Sequence, residues 1–324
     1  MAKGNAALHR AKKEKNDEFY TQKKDIEKEL IHYHHHLKDK IVYCNCDDYR
    51  KSKFVEYFME NFDKIGLKKL ISTGFSKDGQ GTYSEYDGTT LKMGFLSGNG
   101  DALGEECTEI LKQVDVVITN PPFSLFRKYV SHLMEYGKKF LIIGSMNAIT
   151  YKEIFSYIKN NELWLGIHSN KTMYFYMPNT YEKWDRIENG IKIGKVSAIS
   201  WFTNIPHNHR NKPLDLFRKY NETDYPKYEN YNAIEVSKVS EIPMDYNGVM
   251  GVPITFLDKY CPTQFEILGL AADNRDECEI FIKGTPTYLN EKHKSFVGMV
   301  FNHKATYARI LIRRKKAEPI VEAQ

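Results

Sequence analysis

The stretch Val114-Asp115-Val116-Val117-Ile118-Thr119-Asn120-Pro121-Pro122-Phe123 is the one from which the fold is read. A run rich in β-branched residues ends in Asn-Pro-Pro-Phe, and Leu125, Phe126, Tyr129, Val130 and Leu133 then recur at helical spacing. β-Branched side chains suit a buried strand. Two consecutive prolines fix φ and carry no N–H, so the chain beyond the strand is held stiffly. The reading is therefore strand, rigid turn, helix. Outward from it, short apolar runs at residues 41–46, 67–75, 140–144 and 163–167 alternate with amphipathic segments such as Phe54, Tyr57, Phe58 and Phe62. That alternation predicts an α/β fold, a parallel sheet with helices on both faces. Residues 82–96 interrupt the rhythm, with Tyr86-Asp87-Gly88 as a hairpin turn. After about residue 180, Pro206, Pro213, Pro226, Pro243, Pro253 and Pro262 recur and helical spacing fades. Two regions are expected: residues 1–180, opening with a charged arm over 1–40, and a loop-rich region over 181–324.

A net charge of +5 tolerates a polyanionic partner without demanding one. The 22 tyrosines and 18 phenylalanines place many aromatics near the surface or in pockets and suit base stacking, or reflect an AT-rich coding bias towards Tyr, Phe, Lys and Asn. No apolar run is long enough to span a bilayer, so no membrane is expected as a partner. Cys44, Cys46, Cys107, Cys261 and Cys278 form no Cys-x-x-Cys pair and read as reduced thiols of a cytoplasmic protein. The run His32-Tyr33-His34-His35-His36 reads as a solvated helix face, not a metal site, because consecutive helical side chains diverge.

Ligands of open α/β sheets bind beyond the carboxyl ends of strands, where the Asn120 turn falls. Its chemistry suits a conjugated amine. The lone pair of such a nitrogen is delocalised, and two acceptors set against its two N–H groups draw it towards tetrahedral geometry. The Asn120 side-chain oxygen and the Pro121 carbonyl form that pair, Pro122 stiffens it, and Phe123 is placed to stack on the heterocycle. The alternative is a rigid strand-to-helix turn without chemistry. Adenine in DNA, adenine in RNA and a protein glutamine all satisfy the amine requirement. A second acidic turn, Asn45-Cys46-Asp47-Asp48, closes the first strand and suits a cofactor bearing a sulfonium and an α-amino group. Asp101, beside Gly98 and Gly100, forms another. Helix N-capping is the structural alternative for both.

Together, residues 17–21, 43–48, 119–126, 140–144 and 245–257 resemble the EcoRI family of DNA adenine methyltransferases, over most of the chain. The segment Asp245-Tyr246-Asn247-Gly248-Val249-Met250-Gly251-Val252-Pro253 is the longest similar run. The resemblance implies a Rossmann-like class I methyltransferase fold with gamma-group motif order, and S-adenosylmethionine as donor. It implies methyl transfer to N6 of an adenine flipped out of duplex DNA, with 181–324 as the target-recognition region. It further implies a monomer in a restriction-modification or phage-borne setting, with a cognate restriction endonuclease as a partner of the system. Phe19, Tyr20 and Thr21 match the family element lining the methionine end of the cofactor, and Asp101 the residue that accepts from the cofactor's adenine amino group. Two departures stand out. The first turn has no Gly-x-Gly, which keeps a non-catalytic DNA-binding relative in play, and residues 71–75 carry no acid for the cofactor ribose.

For DNA contact the candidates are His209, Arg210 and Lys212, then Arg218 and Lys219, then Arg313, Arg314, Lys315 and Lys316 near the C-terminus. The alternative for the last group is a solvated basic tail. Phosphate and base contacts draw on the same residue types, so nothing here separates them.

Overall fold

The computed structural model describes residues 20–177, 184–271, 288–290, 293–296 and 298–315. The chain divides into two compact units, residues 1–148 with 165–207 and residues 149–164 with 208–324.

In the first unit the elements run β1 (Tyr20–Thr21), α1 (Lys23–Leu30), α2 (His34–Leu37), β2 (Ile41–Cys44), α3 (Lys53–Glu60), α4 (Phe62–Ile65), β3 (Lys69–Gly74), β4 (Thr82–Tyr86), β5 (Leu91–Phe95), α5 (Glu105–Lys112), β6 (Val116–Thr119), α6 (Phe126–Glu135) and β7 (Lys139–Ser145). After them come β8 (Trp164–Leu165), β9 (Lys171–Tyr176), β10 (Arg186–Glu188) and β11 (Ile191–Thr203). Among the described residues the sheet order is β1-β9-β11-β7-β6-β2-β3-β4-β5. The four central strands β7, β6, β2 and β3 are parallel. β4 is antiparallel to β3 and β5 to β4, so β5 points the same way as β3. On the other side, β11 runs antiparallel to β7 and β9 antiparallel to β11.

Local sequence explains the pieces. Ser52 caps α3, its hydroxyl accepting from the backbone N–H of Phe54 (3.1 Å) and Val55 (3.3 Å). α4 ends at Gly66 with φ 73°. In α6 the predicted stripe Phe126, Tyr129, Val130 and Leu133 is buried. Strand side chains alternate: Val42 and Cys44 join a core cluster with Phe54, Val55 and Phe58 of α3, while the intervening Tyr43 instead bonds Thr73 Oγ1 at 2.9 Å. The α6 residue Phe126 packs edge-on against Phe202 of β11, ring centroids 4.9 Å apart. Each fully buried Phe contributes roughly 1.5–3 kcal/mol. The fold is thus mixed α/β around a large sheet; the parallel pairing that the alternation predicted holds in its centre, and antiparallel strands extend it on both sides.

The expected division at residue 180 falls between β9 and β11, which are neighbours in one sheet. The recurring prolines begin at Pro206, after β11 has ended at Thr203 and beside the change of unit between residues 207 and 208. The hairpin expected over 82–96 is β4–β5, turning through Asp87 and Gly88 (φ 97°).

In the second unit, α7 (Lys152–Lys159) buries Ile154, Phe155 and Ile158. Its sheet runs Ile234–Glu235, Met250–Pro253, Arg309–Arg314, Phe265–Ala271. Arg309 donates to Glu235 through Nε (3.0 Å) and Nη2 (2.8 Å), and the Tyr228 hydroxyl donates to the same carboxylate. A Cβ at Gly251 would lie 2.2 Å from the Tyr228 hydroxyl, so glycine there is what admits this buried network.

Candidate active site

The chain passes from β2 to β3 on one side, then returns to build β6 and β7 on the other. The order therefore reverses between β2 and β6, and the crevice beyond their carboxyl ends is where an open α/β sheet takes its ligand. A cavity of about 890 Å³ opens there. Tyr20, Thr21, Asn45, Cys46, Asp47, Asp48, Asp101 and Asn120 all line it, together with Pro122. Residues as far apart in the sequence as Tyr20 and Pro122 are thus gathered on one edge by strand direction. Asp101 arrives because β5 is parallel to β3. Phe19 lies outside the described residues.

Within that edge the acids differ. Asp47 is buried; its Oδ1 accepts from Ser52 Oγ at 2.6 Å, its Oδ2 from the Thr119 hydroxyl, and its N–H donates to the Thr73 carbonyl at 2.8 Å. It binds the turn to α3, β6 and β3. Asp48 is gripped by Arg50, whose Nε and Nη2 reach its carboxylate at 2.8 and 2.6 Å. Burial alone would push the Asp48 carboxyl up, but hydrogen bonds from Arg50 and its charge hold it below the usual carboxylate range. The Asp101 carboxylate accepts from Leu103 N at 3.0 Å and is exposed to solvent. Asn45 is fully buried and accepts at Oδ1 from the Tyr129 hydroxyl. Among the described residues, the buried Thr21 Oγ1, Asn45 Nδ2 and Thr82 Oγ1 on the cavity wall have no protein partner.

Glycines absent from the first turn are found elsewhere on the same edge. A Cβ at Gly74 would lie 2.8 Å from Asp48 Cα and 2.5 Å from Thr82 Oγ1; one at Gly100 (φ 77°) would lie 2.4 Å from the Gly74 carbonyl oxygen. Backbone meets backbone there, and only glycine permits it. Phe75 and Phe95, 49% and 64% exposed, stand on the wall beyond. Sequence reading passed over Gly74, Phe75, Thr82 and Phe95. Phe75 follows directly on a strand end, which was the available signal; the others depend on the hairpin's placement.

Of the turn expected to be catalytic, Asn120 and Pro122 line the cavity and Pro121 lies between them. Phe123 departs from the expected role. It is 4% exposed, belongs to the core cluster with Val116 and Ile118, and is not among the residues lining the cavity.

The basic candidates separate into two kinds. The Arg210 guanidinium lies 3.7 Å above the Trp164 ring and donates to Asn161 Oδ1, so it serves packing. His209, Lys212, Arg218 and Lys219 are exposed. Arg313 and Arg314 belong to a strand, Arg313 exposed with Glu266 at 3.4 Å and Arg314 half-buried, and Lys315 is exposed just after it. The expected alternative of a solvated tail does not describe these three, and Lys316 lies outside the described residues.

The model of the adenine-specific methyltransferase EcoRI family matches residues 7–315. The chain belongs to that family. It is 47% identical to the Type II methyltransferase M.EcoRI of Escherichia coli over 97% of this chain and 98% of that one. It is also 40% identical to the Type II methyltransferase M.MgeORF184P of Mycoplasma genitalium, over 95% of this chain and 99% of the other. The Type II methyltransferase M.MpnI of Mycoplasma pneumoniae is 39% identical, over 95% and 98%. No solved structure matches the chain. This EcoRI-family chain is accordingly a site-specific, adenine-specific DNA methyltransferase, as the family resemblance implied.

Proposed function

We propose that the enzyme methylates N6 of an adenine extruded from duplex DNA, with Asn120 and the Pro121 carbonyl receiving the amine and S-adenosylmethionine as donor. The observation that carries this is the meeting of the Asn120 turn and the Asn45–Asp48 turn on one cavity at the reversal point of the sheet. The cavity wall fits the donor. Its acids, Asp48 and Asp101, suit a cation with an α-amino group, and the unpartnered Thr21, Asn45 and Thr82 atoms suit hydroxyls and a carboxylate. When bound, the donor supplies an electrophilic methyl on sulfonium. The protein's part is positional and electrostatic: Asn120 and Pro121 set two oxygens where the amine gains positive charge. Extruding a base costs a few kcal/mol, which backbone contacts elsewhere must offset.

The same reading takes the first unit as a Rossmann-like class I methyltransferase fold. It takes the second unit as target recognition, the protein as a monomer, and a cognate restriction endonuclease as its partner in a restriction-modification system. A cytoplasmic setting suits the thiols: among the described residues Cys44, Cys46, Cys107 and Cys261 carry no disulfide. Among those residues too, no helix is long and apolar enough to cross a membrane.

Incubation with tritium-labelled S-adenosylmethionine and DNA, RNA and protein in parallel tests the substrate. Label is expected in DNA alone, as N6-methyladenine at one short sequence. Label in RNA, or on a protein glutamine, would reassign the amine; label nowhere would point to a binding protein without catalysis.

A further inference from the structure

We propose that Asp47 and Asn45 are positioning residues that brace the catalytic turn from both flanks, Asp47 through Thr119 and Asn45 through Tyr129. Thr119 is the last residue of β6 and directly precedes Asn120; it is fully buried, and its hydroxyl donates to Asp47 Oδ2. Asp47 is itself immobile. Its other oxygen takes the Ser52 hydroxyl at 2.6 Å, Ser52 caps α3, and the Asp47 N–H is tied to β3 through the Thr73 carbonyl. Both carboxylate oxygens are thereby engaged within the protein, so Asp47 acts through Thr119. On the other flank Tyr129, fully buried in α6, donates its hydroxyl to Asn45 Oδ1. The segment from Asn120 to Leu125 hangs between these two struts, stiffened by Pro121 and Pro122. Their feet stand two residues apart on the turn that lines the donor side of the cavity.

Hydrogen bonds to a buried carboxylate are about twice as strong as neutral ones, which suits a fixed strut. The oxygen of Asn120 must meet an amine within tenths of an ångström, and a tilt of the turn is felt directly in the rate. The arrangement also means that a shift of the donor-side turn moves both ends of the catalytic turn. The inference rests on Asn120 as the residue that receives the amine.

Thr119→Val keeps the shape of the buried residue and removes its donor; Thr119→Ser keeps the donor; Tyr129→Phe removes the second strut. Single-turnover methylation with saturating DNA and donor is measured beside calorimetric affinity for S-adenosylhomocysteine and anisotropy-based DNA affinity. Thr119→Val is expected to slow the single turnover about 10- to 100-fold with both affinities unchanged. Thr119→Ser should recover most of that loss, and Tyr129→Phe should slow the step in the same sense. If Thr119→Val is poorly folded by thermal melting, Thr119→Ser against Tyr129→Phe decides the matter. A full single-turnover rate in Thr119→Val or in Tyr129→Phe, with Asn120→Ala inactive in the same assay, overturns the proposal. So does a Thr119→Val defect seen only in S-adenosylhomocysteine affinity. An active Asn120→Ala enzyme removes the catalytic assignment and this proposal with it.

Discussion

On the proposed mechanism, Asn120→Ala removes one of the two acceptors offered to the amine. A lost donor or acceptor of this preorganised kind lowers turnover about 10²–10³-fold, and DNA and S-adenosylhomocysteine affinities should stay close to the parent's. Turnover at the parent's rate would take Asn120 out of the chemistry. Phe123 separates packing from stacking. Buried among Val116 and Ile118, it is expected to behave as core: Phe123→Ala should cost about 3–5 kcal/mol in urea unfolding, and Phe123→Leu under about 1.5. A large methylation defect in Phe123→Leu with stability intact would return the ring to the heterocycle. Asp48 gives a pH signature. Its folded carboxyl lies below its ordinary value, so its contribution to stability is complete above the unfolded value and lost as pH falls through the folded one. Arg50→Ala removes the guanidinium's hydrogen bonds and charge while the backbone N–H of residue 50 and the Lys51 charge remain, so the carboxyl rises and its stabilising contribution near neutrality shrinks. The stability gap between the two proteins should narrow as urea midpoints are followed from about pH 7 to about pH 3; a gap independent of pH contradicts this account.

At the level of elements, the donor side of the crevice depends on glycines that are neighbours only in space. Gly100→Ala places a methyl 2.4 Å from the Gly74 carbonyl oxygen at φ 77°, and the loop carrying Asp101 must move. Strain of this kind costs of order 1–3 kcal/mol. The expected result is weaker S-adenosylhomocysteine binding with DNA affinity retained, and unchanged calorimetry would mean the loop tolerates the shift. This is also where sequence reading ran out. β2, β6 and α6 were legible because each signal is local: an apolar run, two prolines, a stripe at helical spacing. Asp47 and Asp48 were legible as an acidic turn, yet the sequence could not show that Asp47 turns inward to Thr119 and Ser52 while Asp48 is held by Arg50. Gly74 and Gly100 stand 26 positions apart in the numbering (100 − 74), and no local pattern announces that they touch. β11 was missed for a related reason, since its pairing with β7 is made across more than 40 residues and lies in the region that the prolines from Pro206 onward suggest to be loop-rich.

Over the whole molecule, a formal charge of +5 is too small to decide DNA affinity by itself, and which cations are available matters more than how many there are. The C-terminal strand holds two sorts of arginine. Arg309 is 14% exposed at its side chain and paired to a nearly buried Glu235, so it belongs to the fold of its unit. Arg313 is exposed and shares only a loose, solvent-accessible pair with Glu266, a contact of the kind that contributes little to stability. Each phosphate contact that releases a counterion steepens the dependence of log affinity on log salt by about 0.9 for duplex DNA. Changing Arg313 and Lys315 to Gln should therefore flatten that slope by up to about two while thermal stability is kept. The pair Arg218 and Lys219, exposed in the other candidate segment, should flatten it by a comparable amount when neutralised. Arg309→Ala should act differently: leaving Glu235 buried and unpaired costs about 3–5 kcal/mol, so unit stability falls before any salt effect is read. Should the slope of the Arg313/Lys315 variant match the parent's across a salt titration, that end of the chain carries no phosphate contact, and the duplex must be held by the Lys212–Lys219 side alone.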